Sequence, residues 1–338
     1  MKKEVNVGID IGGSHISVGI VNKKGIILEQ LEKYFTQEEK KKLKNVIEKF
    51  ILNSINELKA KYELKKIGIG IAGTISNGVV LKSVNLNIKN YNIKEKVEKI
   101  TKLKVNVKND AKCASIAEYE FGGWKKYKNV IFLTIGTGIG GSYIYNGKLL
   151  EGEKYEGLEF GHMIIQKNGL MCNCGKRGCL EQYTSLLKFK ENLIKKLELT
   201  KIAKGEEIRE KMEKNPQKIS KIKEEYINNL AIGISNIINI FEPEIVILGG
   251  GFAKYSYLIL DDLKKQIVNS NLLFNSRKKV MIESAKLKND AGIIGASMLS
   301  WFFLDLGRFF FKRDSSFWKR NVPNLKFKMY WYLKKIII

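Results

Sequence analysis

Proline, cysteine, histidine and arginine are all scarce in this sequence. Of 338 residues, 3 are proline, 4 are cysteine and 2 are histidine. So little proline and cysteine excludes a proline-rich disordered chain and a disulfide-stabilised scaffold. The sequence also lacks a run of 18 apolar residues that could cross a membrane, and its first residues do not resemble a signal peptide. We therefore expect a globular protein of the reducing cytoplasm, without membrane attachment.

The net charge is strongly positive, but arginine contributes little to it. Lysine and arginine total 60 against 35 acidic residues, a formal charge of +25, and only six of the basic residues are arginine. Proteins that read bases and phosphates of nucleic acids favour the arginine fork. Lysines here spread over helical patterns such as residues 38–42, which is typical of a solvated surface. We predict no nucleic-acid partner, while a small anionic ligand stays compatible with the charge.

Apolar runs of strand length alternate with helical patterns, which predicts an α/β fold. The length suggests two domains. Strands are predicted over residues 5–10, 16–21, 67–71, 105–107, 133–135, 143–145, 245–248 and 280–283, and helices over 41–61, 110–121, 219–241 and 290–300.

The second half of the chain opens with the same pattern as the first. Strand, glycine turn and strand recur, with Asp10-Ile11-Gly12-Gly13-Ser14 in the first turn and Gly136-Thr137-Gly138 in the second. Backbone N–H groups of such turns can bind an anion, although tight hairpins use glycine for geometry alone. The Walker pattern is absent, and the second turn leads into a strand, which argues against P-loop and dinucleotide sites. Two opposed lobes with a cleft between them would suit a nucleoside triphosphate with Mg²⁺.

Four residues have the types and spacing of a zinc site: His162, Cys172, Cys174 and Cys179. Gly175 and Gly178 let the backbone wrap around the metal. With four protein ligands the Zn²⁺ would be structural, because a catalytic zinc keeps an open position. Glu159 and Glu181 flank the ligands, so the loop would orient two carboxylates towards a polyhydroxy ligand. Cys113 lies in an apolar helical pattern and is interpreted as a buried small side chain.

Asn109 and Asp110 stand where a predicted strand meets a predicted helix. Asp110 suits two roles. It could be the helix N-cap, a position that Asp fills well. It could also be the base that accepts the proton of an attacking hydroxyl in phosphoryl transfer. The residues alone leave both roles open.

Together these segments resemble the ROK family (repressors, open reading frames and kinases) over about residues 5–300. The motifs that carry the resemblance are Asp10 to Ser14, Asn109-Asp110-Ala111, Thr134 to Gly141, Glu159-Phe160-Gly161-His162, Cys172 to Glu181, and Leu248 to Gly251. The most specific part combines Glu-x-Gly-His with Cys-x-Cys-Gly-x-x-Gly-Cys-x-Glu. The family contains sugar kinases and sugar-responsive regulators. The resemblance implies a two-lobed actin-like ATPase (ribonuclease H-like) fold with an interlobe cleft.

The resemblance implies an ATP-dependent kinase for the 6-hydroxyl of a hexose or N-acetylhexosamine, with glucose first and N-acetylmannosamine second. Asp110 would be the general base, with lobe closure excluding water. The sugar would be bound by Gly73, Asn85, Asn109, Glu159, His162 and Glu181. ATP and Mg²⁺ would be bound by Asp10, Gly12, Gly13, Ser14, Thr137, Gly138 and Gly250. The resemblance also implies a homodimer.

The sequence departs from the family pattern at three positions. Val84 precedes Asn85 where a proline is usual, Leu158 replaces a frequent glycine, and His15 follows Ser14. The first two changes could alter the shape of the sugar pocket. An alternative of a different class is a non-catalytic sugar-sensing regulator of the same family, or a sugar-binding protein without activity. Regulators carry an additional N-terminal helix-turn-helix domain, whereas a strand is predicted from residue 5 here, so we favour the kinase.

We expect three segments along the chain. Residues 1–110 would form a small N-terminal lobe, completed by the helix at about 290–300, and residues 111–289 a large lobe with the zinc loop at 159–181. Residues 301–338 have a different composition, with aromatic clusters among nine basic residues. Such a segment could bind a membrane surface or a partner, pack on the body, or be a coding accident. The segment has no clean apolar face, so we favour an extension that packs on the body or a coding accident over binding to a membrane or a partner.

Overall fold

The computed structural model describes residues 2–150, 157–200, 203–269, 272–274 and 280–299. A five-stranded sheet built from the first third of the chain has the order β3-β2-β1-β4-β8. Its strands are β1 (Glu4–Ile11), β2 (His15–Val21), β3 (Ile27–Tyr34), β4 (Glu63–Ile71) and β8 (Lys104–Asn109). The first three form antiparallel hairpins, whereas β4 and β8 run parallel to β1. The carboxyl ends of β1, β4 and β8 therefore meet at one edge.

A second five-stranded sheet repeats this arrangement. Its order is β11-β10-β9-β12-β13, with antiparallel hairpins between the first three and parallel pairing of β9, β12 and β13. Its strands are β9 (Val130–Ile135), β10 (Ile139–Tyr145), β11 (Lys148–Leu149), β12 (Ile245–Gly249) and β13 (Met281–Ser284). Asn146 and Gly147 both have positive φ, as a two-residue hairpin turn requires. The α/β prediction and the internal repeat are confirmed.

A small third sheet was not predicted from the sequence. It has the order β5-β6-β7 and consists of β5 (Thr74–Ser76), β6 (Val79–Ser83) and β7 (Ile88–Tyr91). Its strands are short, and their burial patterns do not alternate clearly. Periodicity is therefore a poor guide here. This sheet lies between β4 and β8 in sequence and carries Asn85 on the connection after β6.

Helices cover both sheets. They are α1 (Gln37–Lys41), α2 (Leu43–Lys61), α3 (Ile93–Thr101), α4 (Asp110–Phe121), α5 (Glu181–Thr184), α6 (Leu186–Lys196), α7 (Gly205–Lys214), α8 (Pro216–Phe241) and α9 (Ser256–Asn269), followed by α10 over residues 291–299. Helix α2 buries Ile47, Ile51 and Ile55 at helical spacing in one core with β1 and β4. Each such side chain contributes about 1.5–3 kcal/mol by burial. Helix α8 buries an equivalent stripe in the core of the second sheet.

Helix α10 returns the end of the described chain to the first sheet. A Cβ on Gly8 of β1 would overlap the carbonyl oxygen of Ile293, and one on Gly68 of β4 would overlap that of Ala296. The backbone of α10 thus lies directly on the two central strands. Residues 1–299 form one compact unit. The extension predicted at 301–338 lies outside the described residues, and among those described no helix is long and apolar enough to span a membrane.

Helix α4 lies between the two sheets. Gly70 of β4 lies close to this helix, since a Cβ added there would stand 3.1 Å from Cys113 Sγ. On the other side, a Cβ added to Gly140 of β10 would stand 2.8 Å from Ala111 Cβ. The last turn of α4 adds Tyr119 to a core with β9 and β12. The first turn of α4 is therefore held where both sheets approach it.

Candidate active site between the two sheets

Two aspartates lie at this meeting point. Asp10 is the penultimate residue of β1 and faces Gly70 in the β4 register, while Asp110 is the first residue of α4. Burial, and then the negative charge of Asp110, together raise the pKa of Asp10 to about 7. Burial also raises the pKa of Asp110, against the opposing effect of the Ala111 N–H, which donates to Oδ1 at 2.9 Å. Two neighbouring carboxyls with raised pKa values are typical of a functional site.

Asn109, and not Asp110, is the N-cap of α4. Its Oδ1 accepts from the N–H groups of Ala111 and Lys112 at 3.0 and 3.3 Å. The N-cap role considered for Asp110 thus belongs to the preceding residue, as the geometry of a capping side chain requires. Asp110 is left at the positive end of the helix dipole, which favours its negative form.

Asn109 also connects α4 to Gly73. Its Nδ2 donates to the Gly73 carbonyl at 3.1 Å. Gly73 has a φ of +130°, and a Cβ there would stand 2.6 Å from the Lys82 oxygen, so no larger residue fits. Asn85 is exposed, and its Cβ lies 3.4 Å from the place that a Cβ on Gly13 would take. The structure therefore brings Gly73, Asn85 and Asn109 to the same sheet edge as the first glycine turn.

The first glycine turn joins β1 to β2. The Gly12 N–H donates to the His15 carbonyl at 3.0 Å, which closes the turn. Ser14 is exposed, and its Oγ lies 3.3 Å from His15 Nδ1. The His15 ring stacks on Tyr34 with centroids 5.6 Å apart. His15 thus supports the turn from the side, which is a role that the sequence did not reveal.

The second glycine turn joins β9 to β10 and meets the zinc loop. The Gly136 N–H donates to the Gly138 carbonyl at 2.9 Å, and Thr137 at the tip is exposed. A Cβ on Gly138 would overlap the Glu181 carboxylate, whose Oε2 accepts from the Ile139 N–H at 2.8 Å. A predicted sugar ligand and a predicted phosphate turn are therefore in direct contact.

Gly250 stands on the other side of the second turn. It follows β12 with a φ of +68°, and its Cβ would lie 3.0 Å from the Ile135 oxygen at the end of β9. Thr137, Gly138 and Gly250 are thus grouped at one edge of the second sheet. Gly140 lies near the same edge and packs against Ala111 in the first turn of α4.

Glu159 immediately precedes a single 3-10 turn over Phe160–His162, and His162 is the last residue of that turn. A Cβ on Gly161 would overlap the Ile139 oxygen, so this turn lies on the start of β10. The three predicted sugar ligands Glu159, His162 and Glu181 therefore surround one strand end. Leu158, which departs from the family pattern, has a φ of +58°, a conformation that glycine adopts at lower cost.

The predicted zinc ligands come together. One nitrogen of His162 and the sulfurs of Cys172, Cys174 and Cys179 all lie within 4.8 Å of one another. His162 Nδ1 is 3.6 Å from Cys172 Sγ, and the Cys174 and Cys179 sulfurs are 3.6 Å apart. Zn²⁺ with bonds of about 2.0–2.3 Å places tetrahedral ligands about 3.5 Å or slightly more from each other. The donor set and the spacing both fit a structural zinc.

Local backbone geometry explains how the loop closes. The Cys172 N–H donates to the Lys176 carbonyl at 2.8 Å, and the Gly175 N–H donates to the Cys172 carbonyl at 2.9 Å. Gly175 has a φ of +91°. Gln182 Nε2 lies 3.6 Å from Cys172 Sγ, within donating distance of a thiolate. Burial, and then the neighbouring thiols, raise the pKa of Cys179 to about 12, so this thiol keeps its proton at neutral pH unless a bound cation displaces it.

Two neighbours of Asp10 and Asp110 were not singled out from the sequence. A Cβ on Gly292 would overlap the Asp10 carboxylate, so the start of α10 covers that group. Lys112 on the first turn of α4 is only 2% exposed. A lysine in an otherwise apolar helical pattern is a signal that could have identified it, since lysine is rarely buried without a partner.

A family model described as the ROK family matches residues 6–301. A glucokinase from Thermotoga maritima is 32% identical over 88% of this chain and 98% of its own length. A xylose repressor from Caldicellulosiruptor bescii is 29% identical over 86% of this chain and 76% of its own length. Both a kinase and a regulator are thus related to the chain along most of its length.

Solved structures agree with this fold. A ROK family glucokinase from Streptomyces griseus, in complex with glucose and AMPPNP, has a TM-score of 0.75 at 29% identity and covers 87% of this chain and 98% of its own. A protein from Listeria monocytogenes described as a candidate N-acetylmannosamine kinase has a TM-score of 0.73 at 25% identity, over 89% of this chain and 99% of its own. The predicted two-lobed actin-like fold is confirmed.

Proposed function

Since the chain belongs to the ROK family, we propose that it is an ATP-dependent kinase for the 6-hydroxyl of a hexose or N-acetylhexosamine. Glucose is the first candidate, supported by the glucokinase relatives, and N-acetylmannosamine the second. The observation that carries the proposal is the position of Asp110. This carboxyl begins α4 between two glycine turns, beside a second carboxyl, and has a raised pKa.

Asp110 is the proposed general base. It accepts the proton of the sugar 6-hydroxyl while the hydroxyl oxygen bonds to the γ-phosphorus and the bond to ADP breaks. A raised pKa makes Asp110 a better proton acceptor than an ordinary aspartate, provided that it is ionised at the working pH. Asn109 fixes the position of this carboxyl by capping the same helix turn.

Substrate positions follow from the grouping of the remaining residues. Gly73, Asn85, Asn109, Glu159, His162 and Glu181 are proposed to bind the sugar hydroxyls. Gly12, Gly13, Ser14, Thr137 and Gly138 are proposed to bind phosphates through their backbone, and Gly250 to approach the adenosine. Such amide clusters stabilise charge that develops on transferring phosphates. We propose that two lobes close over the sugar and exclude water. One lobe consists of residues 1–110 and 291–299, and the other of residues 111–289.

Two metals are part of the proposal. Asp10 would hold Mg²⁺, because an oxygen ligand whose negative charge is disfavoured by its surroundings gains from a hard divalent cation. When bound there, Mg²⁺ would neutralise charge on the phosphates. Zinc would be held by His162, Cys172, Cys174 and Cys179 and would keep Glu159 and Glu181 oriented. A homodimer and a cytoplasmic location remain predictions from the sequence.

A non-catalytic sugar-sensing regulator is the second candidate. The xylose repressor match over 76% of that repressor's length supports it. Both candidates predict sugar binding, but only the kinase predicts phosphate transfer. Turnover, and not affinity, therefore decides between them.

The test measures ADP release from ATP and Mg²⁺ with glucose, mannose, fructose, allose, N-acetylglucosamine and N-acetylmannosamine. One good substrate is expected, with Asp110→Asn lowering kcat by about 10²–10⁴-fold while sugar binding persists. Asp261→Asn changes an exposed carboxyl on α9 in the same way and should leave kcat unchanged. Substantial turnover by Asp110→Asn would refute the base assignment. Sugar binding without ADP release for the whole panel would favour the regulator.

A further inference from the structure

A buried glutamate outside the candidate active site joins two distant parts of the chain. Glu118, in the third turn of α4, is 1% exposed. Its Oε2 accepts from Trp124 Nε1 at 3.1 Å, and its Oε1 accepts from the Leu287 N–H at 2.6 Å. A glutamate is rarely buried to this degree unless its carboxylate has such partners. None of these three residues is assigned to the sugar, ATP or zinc.

Leu287 lies in the connection between β13 and α10. It immediately precedes a single 3-10 turn over Lys288–Asp290, and α10 begins at residue 291. The Asp290 N–H donates to the Leu287 carbonyl at 3.1 Å, which closes the turn. Lys288 has a φ of +53°, a conformation that residues other than glycine adopt at a cost. Glu118 therefore binds the first residue of a strained turn.

The far end of this turn leads directly to Asp10. A Cβ on Gly292, two residues after the turn, would overlap the Asp10 carboxylate. One turn later, a Cβ on Gly295 would overlap the carbonyl oxygen of Cys113 in α4. The start of α10 is thus packed against both Asp10 and α4. A small displacement of the turn would therefore change the position or the surroundings of the Asp10 carboxylate.

The near end of the same connection lies beside the residues that follow β12. The Ala285 N–H donates to the Leu248 carbonyl at 2.9 Å. A Cβ on Gly249 would stand 3.2 Å from Ala285 Cβ. Gly249 directly precedes Gly250, which is proposed to approach the adenosine. The connection over residues 285–290 therefore extends from the proposed adenosine position to the proposed Mg²⁺ ligand.

The chain passes twice between the two proposed lobes, once at residues 110–111 and once around residue 290. Helix α4 takes part in both passages, because it begins with Asp110 at the first and binds the second through Glu118. We propose that Glu118 is a positioning residue. By accepting from the Leu287 N–H it fixes the second passage against α4, and so holds Asp10 in place relative to Asp110.

This inference rests on the proposed function, in which Asp10 holds Mg²⁺ and Asp110 accepts a proton. The fixed connection lies on the nucleotide side of the site. Loss of the Glu118 contact should therefore weaken binding of the metal–nucleotide complex. The proposed sugar ligands do not lie on this connection, so sugar binding should change little.

The test compares Glu118→Gln with Glu120→Gln. A glutamine at 118 keeps the shape, but its NH₂ group then faces one of two N–H donors. In the free protein, hydrogen exchange over residues 287–295 should become about tenfold faster, the loss of one hydrogen bond. The KM for Mg²⁺·ATP and the Kd for Mg²⁺·AMPPNP should rise about tenfold, with the KM for sugar unchanged. Glu120→Gln, which breaks an ion pair with the exposed Lys125 on the same helix, should change none of these.

Trp124→Phe separates positioning from stability. It removes the other hydrogen bond of Glu118 and should lower the Tm, but it leaves the Leu287 contact and hence the affinity for Mg²⁺·AMPPNP intact. Combining it with Glu118→Gln should restore much of that affinity. In the double variant no indole N–H opposes the new amide, whose oxygen can then accept from the Leu287 N–H.

Unchanged exchange over residues 287–295 in Glu118→Gln would show that Glu118 does not hold the connection. Faster exchange with unchanged Mg²⁺·AMPPNP affinity would show that the contact is structural only. Equal losses of affinity in Glu118→Gln and Trp124→Phe would also overturn the proposal. A wild type that binds Mg²⁺·AMPPNP but transfers no phosphate would refute the proposed function alone, because the affinities still decide the role of Glu118. A wild type without such binding would overturn both.

Discussion

At the scale of single residues, the buried carboxyl of Asp10 makes the stability of the protein depend on pH. Its folded pKa of about 7 lies above the ordinary value of 3.8, so the folded state binds a proton more tightly than the unfolded state. The stabilisation is complete below about pH 4 and is lost as pH rises through 7. We predict that Asp10→Asn raises the free energy of unfolding at pH 8 by roughly 1–3 kcal/mol and changes it little at pH 4, although activity is lost.

Denaturant unfolding at the two pH values, without Mg²⁺ or nucleotide, measures this difference. Asp290→Asn changes an exposed acid near the start of α10 and is a suitable comparison, since its free energy of unfolding should stay within about 0.5 kcal/mol of the wild type at both pH values. A variant that is destabilised equally at both pH values would show that the Asp10 carboxylate has a structural partner in the folded chain.

The zinc ligands allow a second prediction at this scale. Cys174→Ser should reduce the zinc content from about one ion per chain to near zero and weaken sugar binding, because the loop that holds Glu159 and Glu181 loses its metal. Cys113→Ala changes a buried thiol outside the cluster and should keep the zinc. Metal analysis after dialysis gives the answer. Zinc affinity should also fall as the pH is lowered, since protons compete for the thiolates.

At the scale of secondary-structure elements, the contact of α10 with the first sheet depends on glycine. Gly68→Ala places a Cβ onto the Ala296 oxygen, and neither backbone can move without disturbing its element. We predict a loss of about 1–3 kcal/mol in the free energy of unfolding. Gly136→Ala is the control, because its Cβ would meet no atom within 4 Å, and it should change stability by less than about 0.5 kcal/mol. Equal effects of the two substitutions on urea unfolding would contradict the close contact.

The elements also show what the sequence can and cannot predict. Strands such as β1 and β12 are buried apolar runs, and α4 and α8 are long, so their pattern was sufficient. The predicted start of α8 at residue 219 is three residues late, because Pro216 begins the helix without an apolar signal. The sheet β5-β6-β7 and the contact between Glu181 and the Ile139 N–H depend on tertiary packing, which a local pattern does not encode. The sequence therefore identifies candidate residues for the site, but it does not predict which of them contact each other.

At the scale of the whole molecule, binding at the cleft should stabilise the entire unit of residues 1–299. A sugar present at a hundredfold excess over its Kd adds about 2.7 kcal/mol to the free energy of unfolding. We predict that the substrate sugar raises the Tm of the wild type and of Asp110→Asn alike, and that Glu159→Ala largely loses this shift. Thermal unfolding with and without sugar is the measurement. A full shift in Glu159→Ala would place the sugar elsewhere.

The position of α4 between the sheets has a mechanical consequence. The short side chains of Cys113 and Ala111 lie against Gly70 on one side and Gly140 on the other. If the two proposed lobes close by rotating against each other, we expect the rotation axis to pass near this helix. Asp110 would then be displaced little, while groups farther from the axis would travel along wider arcs. The proposed base would keep its position while the proposed substrates are brought into line.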